Sequence, residues 1–291
     1  MLHILKDILV ATWNGFFENR LTSMAAAIGF YALFSVGPIL LVAITIADPI
    51  LGHMAAEEVV MSGLSEALGV QNLEVIRQAV QEGLFRGGSM WTTIISIAVI
   101  LYSGTAIFVE LDSALDVIWH PASGRRVHPV LVEIRSRLLA LLLMTLIGVM
   151  FILVFAASAT IAAYDGAFRR LPVLGEFVGP ALLQGWSLGI TAVFFALIYK
   201  FLPDVHIPWR LALISGVVVA VLFLIGNSAI AWYFAQSVLA TAFGAAGALA
   251  AVMVWVYYSA IIVLVAGQVG RATYDTLEAR DADVPGTEGE G

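Results

Sequence analysis

Two carboxylates near the end of one apolar stretch are the residues best placed to handle protons. Glu110 and Asp112 lie at the end of the apolar run 91–111, and Asp116 follows one helical turn later. A carboxylate within or beside a membrane-crossing segment is a candidate for proton or ion coupling, because its charge is costly there. The alternative is structural, since Glu110 stands close enough to the end of the run to pair with nearby arginines.

Arginines follow the same run and are candidates for anion binding. Arg125 and Arg126 precede Arg135 and Arg137 in the connection to the next apolar block. A guanidinium recognises phosphate and carboxylate groups through paired hydrogen bonds. The same residues also carry a simpler signal, because basic side chains accumulate in cytoplasmic loops of membrane proteins. Both interpretations of Arg125 and Arg126 stay open from the sequence.

Other polar or special residues lie inside apolar blocks. Pro38 frees a backbone carbonyl one turn earlier, near Phe34, and predicts a kink that Ser35 or a neighbouring helix can compensate. Ser35 and Pro38 are therefore a candidate hinge, with a packing kink as the alternative. Asn227 and Gln268 are candidates to line a solute path, although interhelical hydrogen bonds are the commoner use of such side chains.

Motifs of catalysis and of metal binding are missing from the sequence. The five histidines are scattered without an H-E-x-x-H pairing, there is no G-x-S-x-G or Walker A sequence, and there is no cysteine. No basic patch with interleaved aromatic residues indicates nucleic acid. The sequence therefore predicts that the protein is not an enzyme, needs no metal or cofactor, and has membrane lipids and an unidentified solute as its partners.

The elements that must position these residues are long apolar helices. Hydrophobic residues make up 61% of the 291 residues and charged ones only 12%, far from the balance of soluble domains. About 20 apolar residues cross the hydrocarbon layer as a helix. The sequence predicts an all-α, polytopic protein with six transmembrane helices in a single membrane domain, residues 1–271, with spans near 24–47, 91–111, 138–163, 180–202, 211–235 and 246–270.

The distribution of basic residues predicts the orientation. With six spans, ten of the 14 lysines and arginines fall on the side of the two termini. The positive-inside rule then makes both termini cytoplasmic. The acidic segment 272–291 is predicted to be a disordered cytoplasmic tail.

Two further helical elements are predicted outside the spans. Leu2, Leu5, Leu9, Trp13 and Phe16 with its neighbour Phe17 recur at helical spacing and predict an amphipathic N-terminal helix in the membrane interface. The outer segment 48–90 contains two helical patterns separated by glycine and predicts a helical hairpin. This hairpin either packs over the outer mouth of the bundle or rests on the lipid surface.

Three segments carry a family resemblance. The run from Thr22 to Pro38 (TSMAAAIGFYALFSVGP) resembles the first span of the YihY/virulence factor BrkB family, formerly labelled ribonuclease BN. The segment from Leu202 to Arg210 resembles the start of that family's fifth span, and residues 244–259 resemble its last span. The resemblance covers roughly residues 5 to 275 and implies a bacterial inner-membrane protein with six helices. Family members often have an acidic residue after Gly267, whereas this chain has Gln268.

The sequence is compatible with two functions from different classes. The leading hypothesis is a transporter or flippase of an amphiphilic or anionic solute, in which Pro38 flexes, Arg125 and Arg126 attract the anion, and Glu110 or Asp112 couples protons. The alternative is a non-transporting envelope scaffold that binds partners through its N-terminal helix, outer hairpin and tail. An intramembrane enzyme or nuclease is disfavoured by the absence of acid–base and metal-ligand constellations. Oligomeric state is not predicted.

Overall fold

A computed structural model of the chain describes most of its helical segments. The described residues are 2–68, 90–119, 134–143, 145–150, 152–153, 175–203, 205, 207–236 and 244–282. All regular secondary structure in these ranges is helical, which agrees with the predicted all-α class. Arg125, Arg126 and the second half of the predicted outer hairpin lie outside the described residues.

The first three helices follow one another with very short connections. Helix α1 (Leu2–Glu18) and helix α2 (Leu21–Leu51) are separated by a turn in which Arg20 adopts a left-handed backbone conformation, with φ of 52°. Helix α2 ends at Gly52, whose φ of 79° suits glycine because it has no Cβ. Helix α3 (His53–Leu68) begins immediately afterwards.

The remaining helices are α4 (Met90–Trp119), α5 (helical residues 134–143 and 145–150), α6 (Gly175–Phe201), α7 (Trp209–Gln236) and α8 (Gly244–Ala282). At 1.5 Å per residue, α4, α6, α7 and α8 are long enough to cross a bilayer. By length and apolar composition, two segments of the described helices qualify as membrane spans, Trp209–Gly226 in α7 and Val252–Ala279 in α8. The count of six spans stays a prediction.

Two helices extend beyond the predicted segments. Helix α4 continues past residue 111, where the predicted span ends, to Trp119. Helix α8 continues to Ala282, so residues 272–282 are helical rather than disordered. The reason is local: Arg271 forms an ion pair of 3.0 Å with Asp275 one turn later, and Tyr274 packs edge-to-face against Trp119.

Helix α8 lies at the centre of the described bundle. Helices α1, α2, α4 and α7 all pack against it, while α6 packs on α7 and α3 packs on α2. The buried side of α3, at Ala56 and Val60, meets Ala47 of α2 and contacts the same apolar cluster as Val252 of α8. The first half of the predicted outer hairpin therefore packs on the bundle.

Small residues allow some of these helices to approach closely. At Gly216 of α7, an added Cβ would overlap the carbonyl oxygen of Ala192 in α6. Lipid tails are as apolar as the protein interior, so close van der Waals contact and interhelical hydrogen bonds, rather than removal of apolar surface from water, hold membrane helices together. Gly216 permits close van der Waals contact between α6 and α7.

Candidate functional site

One side of α4 carries four polar residues, which we call the α4 polar face: Tyr102, Thr105, Asp112 and Asp116. They are separated by three, seven and four residues, and helical positions at these spacings lie on the same side. Glu110 stands two residues from Asp112, which turns its side chain about 200° away around the helix. The structure therefore brings Asp112, and not Glu110, to the polar face.

Two neighbouring residues of α5, Ser136 and Arg137, contact this face. The Ser136 hydroxyl donates a hydrogen bond of 2.7 Å to Oδ2 of Asp112. The Arg137 guanidinium donates from Nη1 to the Thr105 hydroxyl at 2.7 Å and to the Tyr102 carbonyl at 2.9 Å. Its central carbon lies 3.9 Å from the centroid of the Tyr102 ring, in cation–π contact.

Asp112 is held in an environment that favours its neutral form. Its side chain is buried, and Oδ1 has no hydrogen-bond partner among the described residues. The residue follows the predicted span 91–111. Burial is the largest cause that raises the pKa of Asp112, to about 6; the Ser136 hydrogen bond and the charge of Arg135 act in the opposite direction, and the charge of Asp116 adds to the increase. This carboxyl can exchange its proton close to neutral pH.

Asp116 extends the same chemistry by one turn toward the end of α4. Burial raises the pKa of Asp116, and the positive charge of Arg135 opposes that increase. Asp112 and Asp116 therefore share one basic neighbour, so the proton affinities of the two carboxyls depend on each other.

The candidate hinge in α2 is tied to α4. The Ser35 hydroxyl is buried and donates a hydrogen bond of 2.7 Å to the carbonyl of Ser103, and the backbone amide of Ile107 lies 3.4 Å from the same oxygen. Ser35 thus bridges a carbonyl and an amide four residues apart on the neighbouring helix and does not compensate the carbonyl freed by Pro38. Pro38 lies within the continuous α2 helix.

The two candidate lining residues lie on different helices. Gln268 is buried in α8, accepts a hydrogen bond of 3.0 Å from the Asn19 side chain, and fills the space left by the missing side chain of Gly15. This places Gln268 at the joint between α1 and α8. Asn227 lies in α7, one residue after Gly226.

From the sequence, Arg135 and Arg137 are topology signals or anion-binding candidates, and nearby arginines are expected to pair with Glu110 rather than to contact Thr105 and Tyr102. The spacing of the α4 polar face was a detectable signal for one side of the site. The residues of α5 that contact this face were not detectable, because periodicity within a helix does not tell which other helix lies beside it. Among the described residues, no group of three or more histidine, aspartate or glutamate side chains is arranged to hold a metal ion.

Comparison with known proteins places the chain in a family. The family model described as virulence factor BrkB matches residues 12–288. The chain belongs to the virulence factor BrkB family. This assignment confirms the resemblance seen in the three sequence segments.

Curated relatives of this BrkB-family chain are named as membrane proteins. A UPF0761 membrane protein of Alkalilimnicola ehrlichii is 26% identical over 96% of the chain, one of Methylibium petroleiphilum is 26% identical over 97%, and one of Mannheimia succiniciproducens is 23% identical over 96%. The chain spans 61%, 66% and 94% of their respective lengths. No solved structure matches it. The BrkB-family chain is accordingly an integral membrane protein.

Proposed function

We propose that this protein is a bacterial inner-membrane transporter or flippase that moves an amphiphilic or anionic solute. The observation that carries the proposal is the α4 polar face, where a buried carboxylate and an arginine head group lie along one helix. Ionisable groups are costly inside a membrane and are concentrated where substrates, ions or protons pass. Helices that only anchored the protein in the membrane would not need such ionisable groups.

Asp112 is the proposed coupling residue. A carboxyl whose pKa is about 6 changes its protonation state within the range of pH found across a bacterial envelope. When Asp112 loses its proton, its negative charge lies near Arg135, and when it gains one, that attraction is lost. Proton binding therefore changes how α4 and α5 hold each other, which is the kind of link that coupling to a pH gradient needs.

Arginines provide the proposed attraction for the anionic part of the solute. Arg135 and Arg137 stand beside the α4 polar face, and Arg125 and Arg126 precede them in the chain. The Ser35–Ser103 hydrogen bond connects the proposed hinge in α2 to α4. A movement of α2 at Pro38 would consequently be transmitted through this hydrogen bond to α4, the helix that carries Asp112.

The proposed placement has both termini in the cytoplasm. Ten of the 14 basic residues lie on the terminal side of six predicted spans, and the positive-inside rule supports this orientation. The candidate anion-binding arginines then face the cytoplasm, the side from which an envelope precursor would be collected. We also propose that the protein acts without catalysis, a cofactor or nucleic acid.

The experiment is solute flux in proteoliposomes with and without a pH gradient. Labelled phospholipids and small organic anions are offered to the wild type, Asp112→Asn and Glu110→Gln. Of the two carboxylates, Asp112 lies on the polar face and Glu110 does not. The gradient-dependent flux should therefore fall at least about tenfold in Asp112→Asn and stay close to the wild-type value in Glu110→Gln. Equal flux in the wild type and Asp112→Asn would reject proton coupling at Asp112, and no flux of any solute from folded protein would reject transport.

A scaffold without transport remains the second candidate, because α1 exposes a stripe of large apolar side chains. Leu5, Leu9, Trp13 and Phe17 are four residues apart, and all are exposed. A partner protein or the lipid interface could cover such a stripe. Leu9 and Trp13 are replaced by serine to test this candidate. The scaffold is favoured if the variant no longer binds its partner and if neither the wild type nor the variant moves any solute.

A further inference from the structure

Arg137 extends its charge toward the middle of a predicted span. Its Nη1 donates a hydrogen bond to the carbonyl of Tyr102, which lies next to the centre of the run 91–111. Tyr102 lies ten residues before Asp112, about 15 Å along an α-helix. The predicted hydrocarbon layer is about 30 Å thick. The guanidinium therefore stands well inside the predicted membrane region, although residue 137 itself precedes the third span.

The surface around this guanidinium faces outward from the bundle. Tyr102 is 65% exposed, and Leu138 and Leu142 on α5 are each 61% exposed. In a membrane protein, such large exposed apolar side chains contact acyl chains. The aromatic ring that the guanidinium covers thus lies on the outer surface of the described chain.

We propose that Arg137 and Tyr102 form a binding site for the phosphate of a phospholipid that approaches sideways from the bilayer. The proposal deepens the proposed function, on which it rests, by naming phospholipid as the solute class. A guanidinium is the side chain best suited to phosphate, and its contact with an aromatic face fixes the plane of its donors. The Tyr102 carbonyl and the Thr105 hydroxyl accept hydrogen bonds from Nη1, and these two neutral oxygens hold the head group in place.

The surroundings select a lipid phosphate over a soluble anion. A soluble anion reaching this surface would have to enter hydrocarbon without any apolar part to compensate for its lost hydration. A phospholipid carries its phosphate together with acyl chains, which can lie against exposed apolar side chains of α5 such as Leu138 and Leu142. The phosphate and the chains are thus recognised by adjacent parts of one surface.

The test measures lipid affinity separately from transport. Purified protein in detergent is titrated with phosphatidylglycerol, with diacylglycerol, which lacks phosphate, and with sodium phosphate; binding is followed by intrinsic fluorescence and by native mass spectrometry. The wild type is compared with Arg137→Gln, Arg137→Lys and Tyr102→Leu. Arg210→Gln is the matched control, because Arg210 is exposed at the start of α7. Circular dichroism checks the fold of each variant.

We expect phosphatidylglycerol to bind the wild type and Arg210→Gln equally, and Arg137→Gln at least about tenfold more weakly, since a charge-assisted hydrogen bond is lost. Arg137→Lys should fall between them, because lysine keeps the charge but not the planar contact with Tyr102. Diacylglycerol should bind all variants equally weakly. If Arg137→Gln does not fold, Tyr102→Leu at an exposed position reports on the same site.

Equal affinity of the wild type, Arg137→Gln and Tyr102→Leu for phosphatidylglycerol would overturn the site. Full displacement of the lipid by sodium phosphate would also overturn it, in favour of a site for soluble anions. Failure of the proposed function has a different signature: lipid affinity depends on Arg137, but proteoliposomes move no labelled lipid. Conversely, flux of another solute without lipid affinity would retain the transporter and reject this site.

Discussion

At the scale of single residues, Asp112 is buried, and hydrogen bonds replace only part of the hydration that its carboxylate loses. Ser136 bonds one carboxylate oxygen, while the other has no partner among the described residues. Because the folded-state pKa is raised from 3.8 to about 6, the folded protein binds more protons than the unfolded chain between these values. Stability attributable to this residue is therefore present at low pH and is lost as the pH rises from about 4 to about 6, by up to about 3 kcal/mol.

Asp112→Asn should remove this pH dependence. Asparagine keeps an oxygen that can accept from Ser136 and carries no charge to desolvate. The variant should have a higher melting temperature than the wild type at pH 7.5 and nearly the same one at pH 4. Thermal unfolding across this range measures the difference, with Asp7→Asn, at an exposed position of α1, as the control. A lower melting temperature of Asp112→Asn at pH 7.5 would contradict the assignment.

The sequence predicted Asp112 as a candidate because a carboxylate at the end of an apolar run is unusual. It did not predict Arg137 and Tyr102 as a pair. Arg137 looked like a basic residue just before a span, and only the packing of α5 beside α4 shows where its long side chain goes. Local charge patterns therefore identified part of the site, and tertiary contacts were needed for the rest.

At the scale of helices, the prediction of helical conformation agrees with the structure where length and apolar composition decide the outcome. Five of the predicted segments, 24–47, 91–111, 180–202, 211–235 and 246–270, coincide with α2, α4, α6, α7 and α8, except that 180–202 extends one residue past α6. The number of these helices that cross a membrane stays a prediction. Helices α6, α7 and α8 are apolar on nearly every side, so their sequences do not indicate which side packs inward. The end of α8 was also missed, because the Arg271–Asp275 pair and the Tyr274–Trp119 contact stabilise a segment that looked acidic and unstructured.

The close approach of α6 and α7 leads to a prediction about glycine. Gly216→Ala places a methyl group against the Ala192 carbonyl and the Ala196 side chain, so we expect a loss of about 1–3 kcal/mol of stability. Gly185 in α6 is the matched control, because no heavy atom lies within 4 Å of a Cβ added there. Gly185→Ala should stabilise the helix by about 0.5–1 kcal/mol.

Thermal unfolding of both glycine variants in detergent distinguishes packing from backbone flexibility. Opposite shifts of the melting temperature are the expected result. If both substitutions raise the melting temperature, Gly216 does not set the distance between α6 and α7.

At the scale of the whole molecule, α1 and α8 connect the membrane surface with the centre of the bundle. Helix α1 packs one side on α8 through Gly15 and the Asn19–Gln268 hydrogen bond, and its exposed apolar stripe lies beside that side. This arrangement suits a helix that lies in the interface while it is fastened to a central helix. Gln268 is the residue of α8 that accepts the hydrogen bond from Asn19.

The proposed topology can be tested directly because the chain contains no cysteine. Single variants Glu58→Cys in α3 and Glu278→Cys in α8 place thiols at exposed positions. Five predicted spans separate the two positions, and an odd number puts them on opposite sides of the membrane. In intact spheroplasts, a membrane-impermeant maleimide should label Glu58→Cys and leave Glu278→Cys unlabelled until the membrane is permeabilised. Labelling of both thiols in intact spheroplasts would require an even number of crossings between them, and labelling of Glu278→Cys alone would reverse the orientation inferred from the basic residues.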